Sequence, residues 1–435
     1  MQPENTRRLN LQDYKTLSLA ALGGALEFYD FIIFIFFANV IGQLFFPADI
    51  PDWLRQVQTF GIFAAGYLAR PLGGLIMAHF GDSQGRKKMF NLSILLMALP
   101  TLAMGMLPDY ASIGISAPIL LLLLRILQGA AIGGEVPGAW VFVAEHVPEK
   151  RIGFACGTLT AGLTAGILLG SVVATVMNTH LSVGQMSAWG WRIPFFLGGA
   201  FGLVALYLRR WLHETPVFQQ MQQQKTLSAL LPLKAVILNH QRSVIIAMLL
   251  TWLLSACIVV VLLMAPALLQ KLYGLPAALT LKANTLATIM LLMGCIIAGA
   301  LVDRFGAPKV LIVGSVLLAA ASWSFFQAAT LSAGWLYSAY AAAGLSVGVV
   351  GVVPFIMVGQ FPAAVRFTGI SFSYNVAYAI FGGLTPMVVS LSMRVTPLAP
   401  AWYVLALSVL GLLLGIYLRR DAGNRRLASR LDSLS

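Results

Sequence analysis

Twelve stretches of about twenty mostly apolar residues follow one another along this chain, and that pattern constrains the fold more than any single motif. They cover residues 17–40, 58–80, 88–107, 118–144, 153–177, 188–212, 243–270, 282–302, 308–329, 335–359, 367–393 and 401–419. A run of that length spans the hydrocarbon core of a bilayer when helical, and the helix satisfies every backbone polar group where there is no water. Composition excludes an ordinary soluble globule: 59% of the residues are hydrophobic and 10% charged, where soluble domains carry about a quarter as charges. The first apolar run is long, contains Glu27 and Asp30 and lacks a small-residue cleavage site. It therefore reads as a span, not a removable leader.

The net charge of +13 follows from topology. Sorting Lys and Arg by alternate loops places 21 of the 28 on the side of both termini. The opposite side receives Arg55, Lys271, Lys282 and Arg394. The positive-inside rule then makes both termini and the 213–242 loop cytoplasmic, in a plasma membrane such as the bacterial inner membrane. A basic excess used in this way implies a lipid bilayer as partner and no nucleic acid. Cys156, Cys257 and Cys295 all lie inside apolar runs, so neither a disulfide framework nor a metal site is expected.

Punctuation repeats along the chain. GLIMAHFGDSQGRKK (Gly74–Lys88) joins the second and third runs, and GALVDRFGAPK (Gly299–Lys309) joins the eighth and ninth. Glu145, Pro148, Arg151 and Gly153 before the fifth run are echoed by Gln360, Pro362, Arg366 and Gly369 before the eleventh. The expected fold class is therefore an all-α membrane protein: twelve transmembrane helices in two six-helix bundles related by an axis along the membrane normal. Residues 1–212 form the first bundle, 213–242 the cytoplasmic loop between bundles, and 243–435 the second bundle with its basic tail. Two similar bodies rocking about a central site expose it to either face in turn, which is how a carrier works. Asp82, Arg86 and Lys87 in one turn, and Asp303 and Arg304 in the other, are candidate conformational latches, since a helix-end Asp beside bases can form ion pairs and caps in one state only.

Charges inside the spans cost about 2.5–3.5 kcal/mol or more each, so they must pair or face a wet cavity. The deep ones are Glu27, Asp30, Arg70, Arg125 and Glu135, all in the first half. Glu27 and Asp30 share a helix face. Asp30 and Arg125 fall at similar depth and are expected to pair, with the proton on Asp30 controlling the pair. Glu27 and Glu135 are alternative or relay acids. Arg70 suits bidentate binding of a substrate carboxylate, or else pairs with Glu27 or with carbonyls near Pro71. Tyr374 and Tyr378, four residues apart, and Asn375 between them are candidate substrate contacts from the second half.

Seven segments together resemble the metabolite:proton symporters of the major facilitator superfamily: GGALEFYDF (Gly23–Phe31), RPLGG (Arg70–Gly74), GDSQGRKK, RILQGAAIGGE (Arg125–Glu135), WGWRIPFFLGG (Trp189–Gly199), ETPVF (Glu214–Phe218) and FPAAVRFTGISFSYNVAYAIFGGLTP (Phe361–Pro386). That family includes bacterial carriers of 2-oxoglutarate, citrate, shikimate and proline or betaine. The resemblance implies two six-helix bundles and uptake of a small organic solute with a proton, which is the coupling ion, no other cofactor being implied. It implies that Glu27 and Asp30 match the acids of the first-helix motif. Arg125, Gln128 and Gly129 match a fourth-helix motif tied to proton handling, and Gln128 joins the candidate substrate contacts. Asp82, Gly85, Arg86 and Lys87 match the superfamily's conformational loop. Gly24, Ala78, Ser83, Leu159 and Gln360 depart from the residues common in relatives.

The expected activity is secondary active uptake of a small solute bearing a carboxylate or a zwitterion, by a monomer with no enzymatic function. A proton-coupled exporter is the alternative, although residues 153–177 lack the Gly-Pro kink that such antiporters share. A non-transporting membrane sensor is a further alternative, without an evident soluble input domain.

Overall fold

A computed structural model of the chain describes residues 9–84, 86–209, 232–328 and 333–432; within these helices some side chains, among them those of Glu27, Asp82, Arg86 and Lys87, lie outside the description, as does Gly85 entirely. The described residues are helices and short connections. The first bundle comprises α1 (Leu11–Phe36), α2 (Asp52–Gln84), α3 (Arg86–Met106), α4 (Ser116–His146), α5 (Ile152–His180) and α6 (Arg192–Arg209). A short helix, Pro232–Asn239, leads into the second bundle. There, α7 runs through Gln241–Ile258, Val259–Met264 and Ala265–Tyr273, followed by α8 (Ala277–Phe305) and α9 (Ala307–Ala328). Next, α10 combines Ala333–Val347, Gly348–Val352 and Val353–Gln360, and α11 combines Arg366–Ala377, Tyr378–Gly382 and Gly383–Ser392. The last helix is α12 (Ala399–Asp432).

Ten of the expected spans are long and apolar enough to cross a bilayer. An eleventh is reached when Val183–Gly190 and Arg192–Leu208, bent by 45° at Trp191, are taken as one. The expected third span is shorter than the rest: the apolar part of α3 is Asn91–Met106, because its first turn is the basic Arg86-Lys87-Lys88. Several helices outrun their apolar cores. α2 begins at Asp52 and α12 continues to Asp432, since polar residues at the interface extend a helix without having to enter lipid.

Apart from the short 3₁₀ turns Glu149–Arg151 and Ala363–Val365 in connections, four places among the described residues depart from regular α geometry, and each contains the carbonyl four residues before a proline. They are Met186–Gly190 before Pro194, Val259–Met264 before Pro266, Gly348–Val352 before Pro354 and Tyr378–Gly382 before Pro386. Proline has no N–H to give that carbonyl, and its ring crowds it, so the turn loosens to π or tightens to 3₁₀. Proline is not sufficient by itself, because Pro71, Pro100 and Pro137 lie within helices that stay α-helical.

Close helix contacts use glycine where a side chain cannot fit. A methyl group at Gly129 would overlap the backbone of Gly66, and one at Gly133 the backbone of Arg70, so α2 and α4 meet backbone to backbone. Across the bundles, Gly157 on α5 lies against Cys295 and Gly299 on α8 in the same manner. The interface is built from α2, α4 and α5 on one side and α8, α10 and α11 on the other, whereas α1 and α7 make at most marginal contact with the opposite bundle.

Candidate functional site

Near the middle of their helices the first bundle presents Arg70 from α2, and the second presents Tyr374 and Tyr378 from α11. Arg70 is fully buried. Its guanidinium carbon lies 4.4 Å from the ring centre of Tyr378, 5.5 Å from that of Tyr374 and 5.6 Å from that of Tyr67, one turn earlier on α2. Tyr67 stacks on Tyr378 with centroids 5.8 Å apart and planes 9° from parallel, and Trp140 of α4 meets Tyr374 edge-on at 5.0 Å. The cluster thus joins a cation with four aromatic side chains drawn from both bundles. The expected positions Arg70, Tyr374 and Tyr378 converge here. Tyr67 and Trp140 add to them, and the i, i+3 spacing of Tyr67 to Arg70 is the signal that could have found Tyr67.

Asn375 also lies at the interface, with its amide committed. Its Nδ2 donates to the Gly133 carbonyl of α4 at 2.6 Å and to the Ser371 carbonyl at 2.8 Å, and its Oδ1 accepts no hydrogen bond among the described residues. Asn375 therefore ties the two bundles together in this conformation.

Asp30 and Arg125, expected as an ion pair, are not paired here. Arg125, fully buried, donates through Nη1 to Gln128 Oε1 and lies over the rings of Phe34 and Phe63, 4.7 and 5.0 Å from their centroids. Gln128 stands between the two charges: its Nε2 donates to the backbone carbonyl of Asp30 at 3.0 Å and to Thr101 Oγ1 at 2.8 Å. The Asp30 carboxylate, 1% exposed, accepts no hydrogen bond among the described residues and points instead toward Gly198 on α6. Direct pairing fails because the side chain one turn from Arg125 supplies the nearer acceptor. Gln128, expected at the substrate, is instead bonded wholly inside the first bundle.

Glu135 is separate again. Ser93 of α3 donates its hydroxyl to Glu135 Oε2, and both residues are buried within the first bundle. The Glu27 side chain lies outside the described residues.

The turn that joins α8 to α9 meets the start of α5. There the Asp303 carboxylate accepts from the backbone N–H groups of Gly153 and Phe154, at 2.8 and 3.0 Å. A carboxylate at the end of α8 thus caps the first turn of α5, where the N–H groups have no helical partner and the helix dipole favours negative charge. Beside it, Arg366 of α11 forms an ion pair of 2.8 Å with Glu145 of α4, whose side chain is 1% exposed. Glu145 and Arg366 belong to the echoed turns, but nothing in the spacing revealed that they face each other. Arg304, the other expected latch residue, is exposed and lies over the Phe305 ring at 5.2 Å. It takes no part in the joint. The side chains of Asp82, Arg86 and Lys87, and Gly85 entirely, fall outside the described residues.

Known proteins bear directly on this arrangement. The sequence profile of the Major Facilitator Superfamily matches residues 20–386. A putative proline/betaine transporter of Staphylococcus aureus (strain COL) is 32% identical, over 97% of this chain and 92% of that protein. The proline/betaine transporter of Salmonella typhimurium is also 32% identical, over 97% and 86%. A glycine betaine/proline/ectoine/pipecolic acid transporter of Dickeya dadantii is 32% identical, over 94% and 83%. Among solved structures, the proton:xylose symporter XylE bound to 6-bromo-6-deoxy-D-glucose superposes with a TM-score of 0.76 at 19% identity, covering 94% of this chain and 95% of that one, which shows a shared fold. With transporters as its relatives over nearly its whole length and the superfamily profile matching most of its residues, the chain is a solute transporter and not an enzyme, and it belongs to the major facilitator superfamily.

Proposed function

We propose that the protein takes up a small zwitterion of the proline and betaine class together with a proton, by alternating access. The observation that carries this reading is the cluster of Arg70 with Tyr67, Tyr374 and Tyr378 at the bundle interface. A guanidinium binds a carboxylate through paired hydrogen bonds, and aromatic faces attract an ammonium or quaternary ammonium. One cluster therefore complements both ends of a zwitterion, and the solutes for which the 32% identical relatives are named, proline and betaine among them, have that chemistry. In this structure the faces of the tyrosines are turned to Arg70 itself. An incoming carboxylate draws the guanidinium toward itself and frees the rings for the cationic end.

Coupling resides one layer away, with Asp30 as the acid and Arg125 as its counter-charge. The basic face is the cytoplasmic one, closed here by the Asp303 carboxylate of α8 capping α5 and by Glu145 with Arg366. Opening inward requires these contacts to break while the far side closes. The protein works as a monomer, because each half of the binding cluster comes from the same chain.

The test is uptake of labelled L-proline and glycine betaine into proteoliposomes with an alkaline lumen. Uptake should collapse with a protonophore and in Arg70→Gln, and Tyr378→Leu should weaken betaine more than an uncharged solute of equal size. Failure of a panel of zwitterions to be taken up or to raise the melting temperature would sink the substrate reading. Accumulation only against an outward proton flux would establish the exporter instead.

A further inference from the structure

Asp30 presents an anomaly that the transport cycle alone does not explain. A carboxylate at 1% exposure, inside the membrane, would be expected to seek donors, yet both of its oxygens go without a hydrogen bond among the described residues. A cationic guanidinium and an amide donor lie on the neighbouring helix, and the side chain turns away from both. What receives it is a small recess on α6. A methyl group at Gly198 would overlap Asp30 Oδ1, and one at Gly202, a turn further, would lie 3.6 Å from Oδ2. The opposite wall is Thr101 and Ala98 of α3, with Thr101 Cγ2 2.9 Å from a methyl at 198 and Ala98 closing against Gly202. The recess exists only because two residues four apart on α6 have no side chain.

Among the described residues, the groups around this recess have partners of their own. Tyr29, on the same helix, gives its hydroxyl to the Pro194 carbonyl at 3.0 Å. Arg192, at the start of α6, donates to the carbonyls of Gly105 and Leu107 at 2.7 and 2.8 Å. From α4 come Arg125 and Gln128, bonded to each other. From α3 comes Thr101, whose hydroxyl donates to the Met97 carbonyl at 2.9 Å and accepts from Gln128. α5 packs on α1 through Gly162, Gly166 and Gly170. None of these contacts directs a donor at the carboxylate, and an ionised acid without donors in an apolar recess is strongly disfavoured.

We propose that the Gly198/Gly202 recess holds the protonated form of Asp30, and that Gln128 is a positioning residue that keeps Asp30 and Arg125 apart until the proton leaves. This rests on the proton-coupled reading above and deepens it. In the loaded state a proton from water on the far face forms the O–H bond of Asp30, and the neutral acid occupies the recess. On the other face that O–H bond breaks, the proton goes to water, and the carboxylate swings out of the recess. It displaces Gln128 Oε1 from Arg125, so the charge lost with the proton is compensated by the new ion pair. Gln128 already donates to the Asp30 backbone and to Thr101, so its amide can release Arg125 without losing every partner.

The experiment is infrared difference spectroscopy of the full chain in lipid nanodiscs without solute, following the carbonyl stretch of protonated carboxylic acids across a pH series. Asp30→Asn assigns the band. The wild type should show the Asp30 band at neutral pH. In Gly198→Ala the added methyl expels the carboxylate, and the band should vanish at neutral pH and return only at about tenfold higher proton concentration or more. Gln128→Leu acts from the opposite side, removing the competing acceptor from Arg125, and should lose the band likewise; it serves if Gly198→Ala fails to fold against Thr101. Gly61→Ala, where a methyl meets nothing within 4 Å, should keep the band. A wild type with no Asp30 band at neutral pH, or a band unmoved in both variants, overturns the proposal. The readout needs no substrate, so absence of proline or betaine uptake alongside the expected spectra would refute the substrate reading alone.

Discussion

Replacing Asp303 by Ala should unlatch the basic face, and the size of the effect follows from its two contacts. The carboxylate accepts hydrogen bonds of 2.8 and 3.0 Å from the second and third N–H groups of a 29-residue helix. Hydrogen bonds to a charged group contribute about 1.5–3 kcal/mol each, and the favourable helix-end charge adds about 0.3–1 kcal/mol. Asp303 is only half-buried, and water solvates both partners once the face opens, so the joint total discounts to about 2–3 kcal/mol of closing free energy. At 1.4 kcal/mol per decade, that shifts the closed-to-open ratio on this face by roughly 30- to 150-fold. The assay is pulsed electron spin resonance between labels at positions 150 and 309, exposed sites on opposite bundles, the native cysteines being buried. Asp303→Ala should populate a longer distance that wild type lacks, Asp303→Asn should fall between the two, and Arg304→Ala next door should look like wild type. Distance distributions for Asp303→Ala and wild type that coincide would refute the reasoning, because the cap would then contribute nothing to closure.

Three further outcomes follow from the same geometry. Arg366→Ala removes the ion-pair partner of the buried Glu145 carboxylate and should cost up to about 3–5 kcal/mol, so its melting temperature should lie below that of the double neutral variant Glu145→Gln with Arg366→Gln. Gly133→Ala forces a methyl into the Arg70 backbone and should cost about 1–3 kcal/mol, whereas Gly184→Ala, with open space around it, should change the denaturation midpoint negligibly. Ser93→Ala removes a buried hydroxyl donor from Glu135 and should lower stability by about 1–3 kcal/mol, with Ser93→Thr recovering most of it in the same melting assay.

The architecture was legible in the residues because a bilayer imposes a coarse rule. Residues 118–144 and 282–302 are apolar over more than a span's length, and the described helices Ser116–His146 and Ala277–Phe305 enclose them. Intramembrane charges were equally visible, because Asp30, Arg70 and Arg125 have no neutral reason to sit at depth. Their partners were not visible. Arg70 meets Tyr374 and Tyr378 from a helix some three hundred positions later, and only the packing of α2 against α11 brings them together. For Arg125 the local candidate, Gln128 one turn away, prevailed over Asp30 on another helix.

By itself, then, the sequence determined a membrane-embedded chain of two repeated halves with a handful of costly charges in the first, since hydrophobic length and loop charge act residue by residue against lipid and water. Only the tertiary structure decided that Asp303 caps α5, that Glu145 meets Arg366, and that Asp30 turns into a glycine recess away from Arg125. The physical reason is that periodicity fixes which residues share a face of a helix, whereas the rotation of that helix against its neighbours fixes what the face touches. Inside a membrane, the free energy of a polar group is set almost entirely by the partner another helix brings within hydrogen-bond distance.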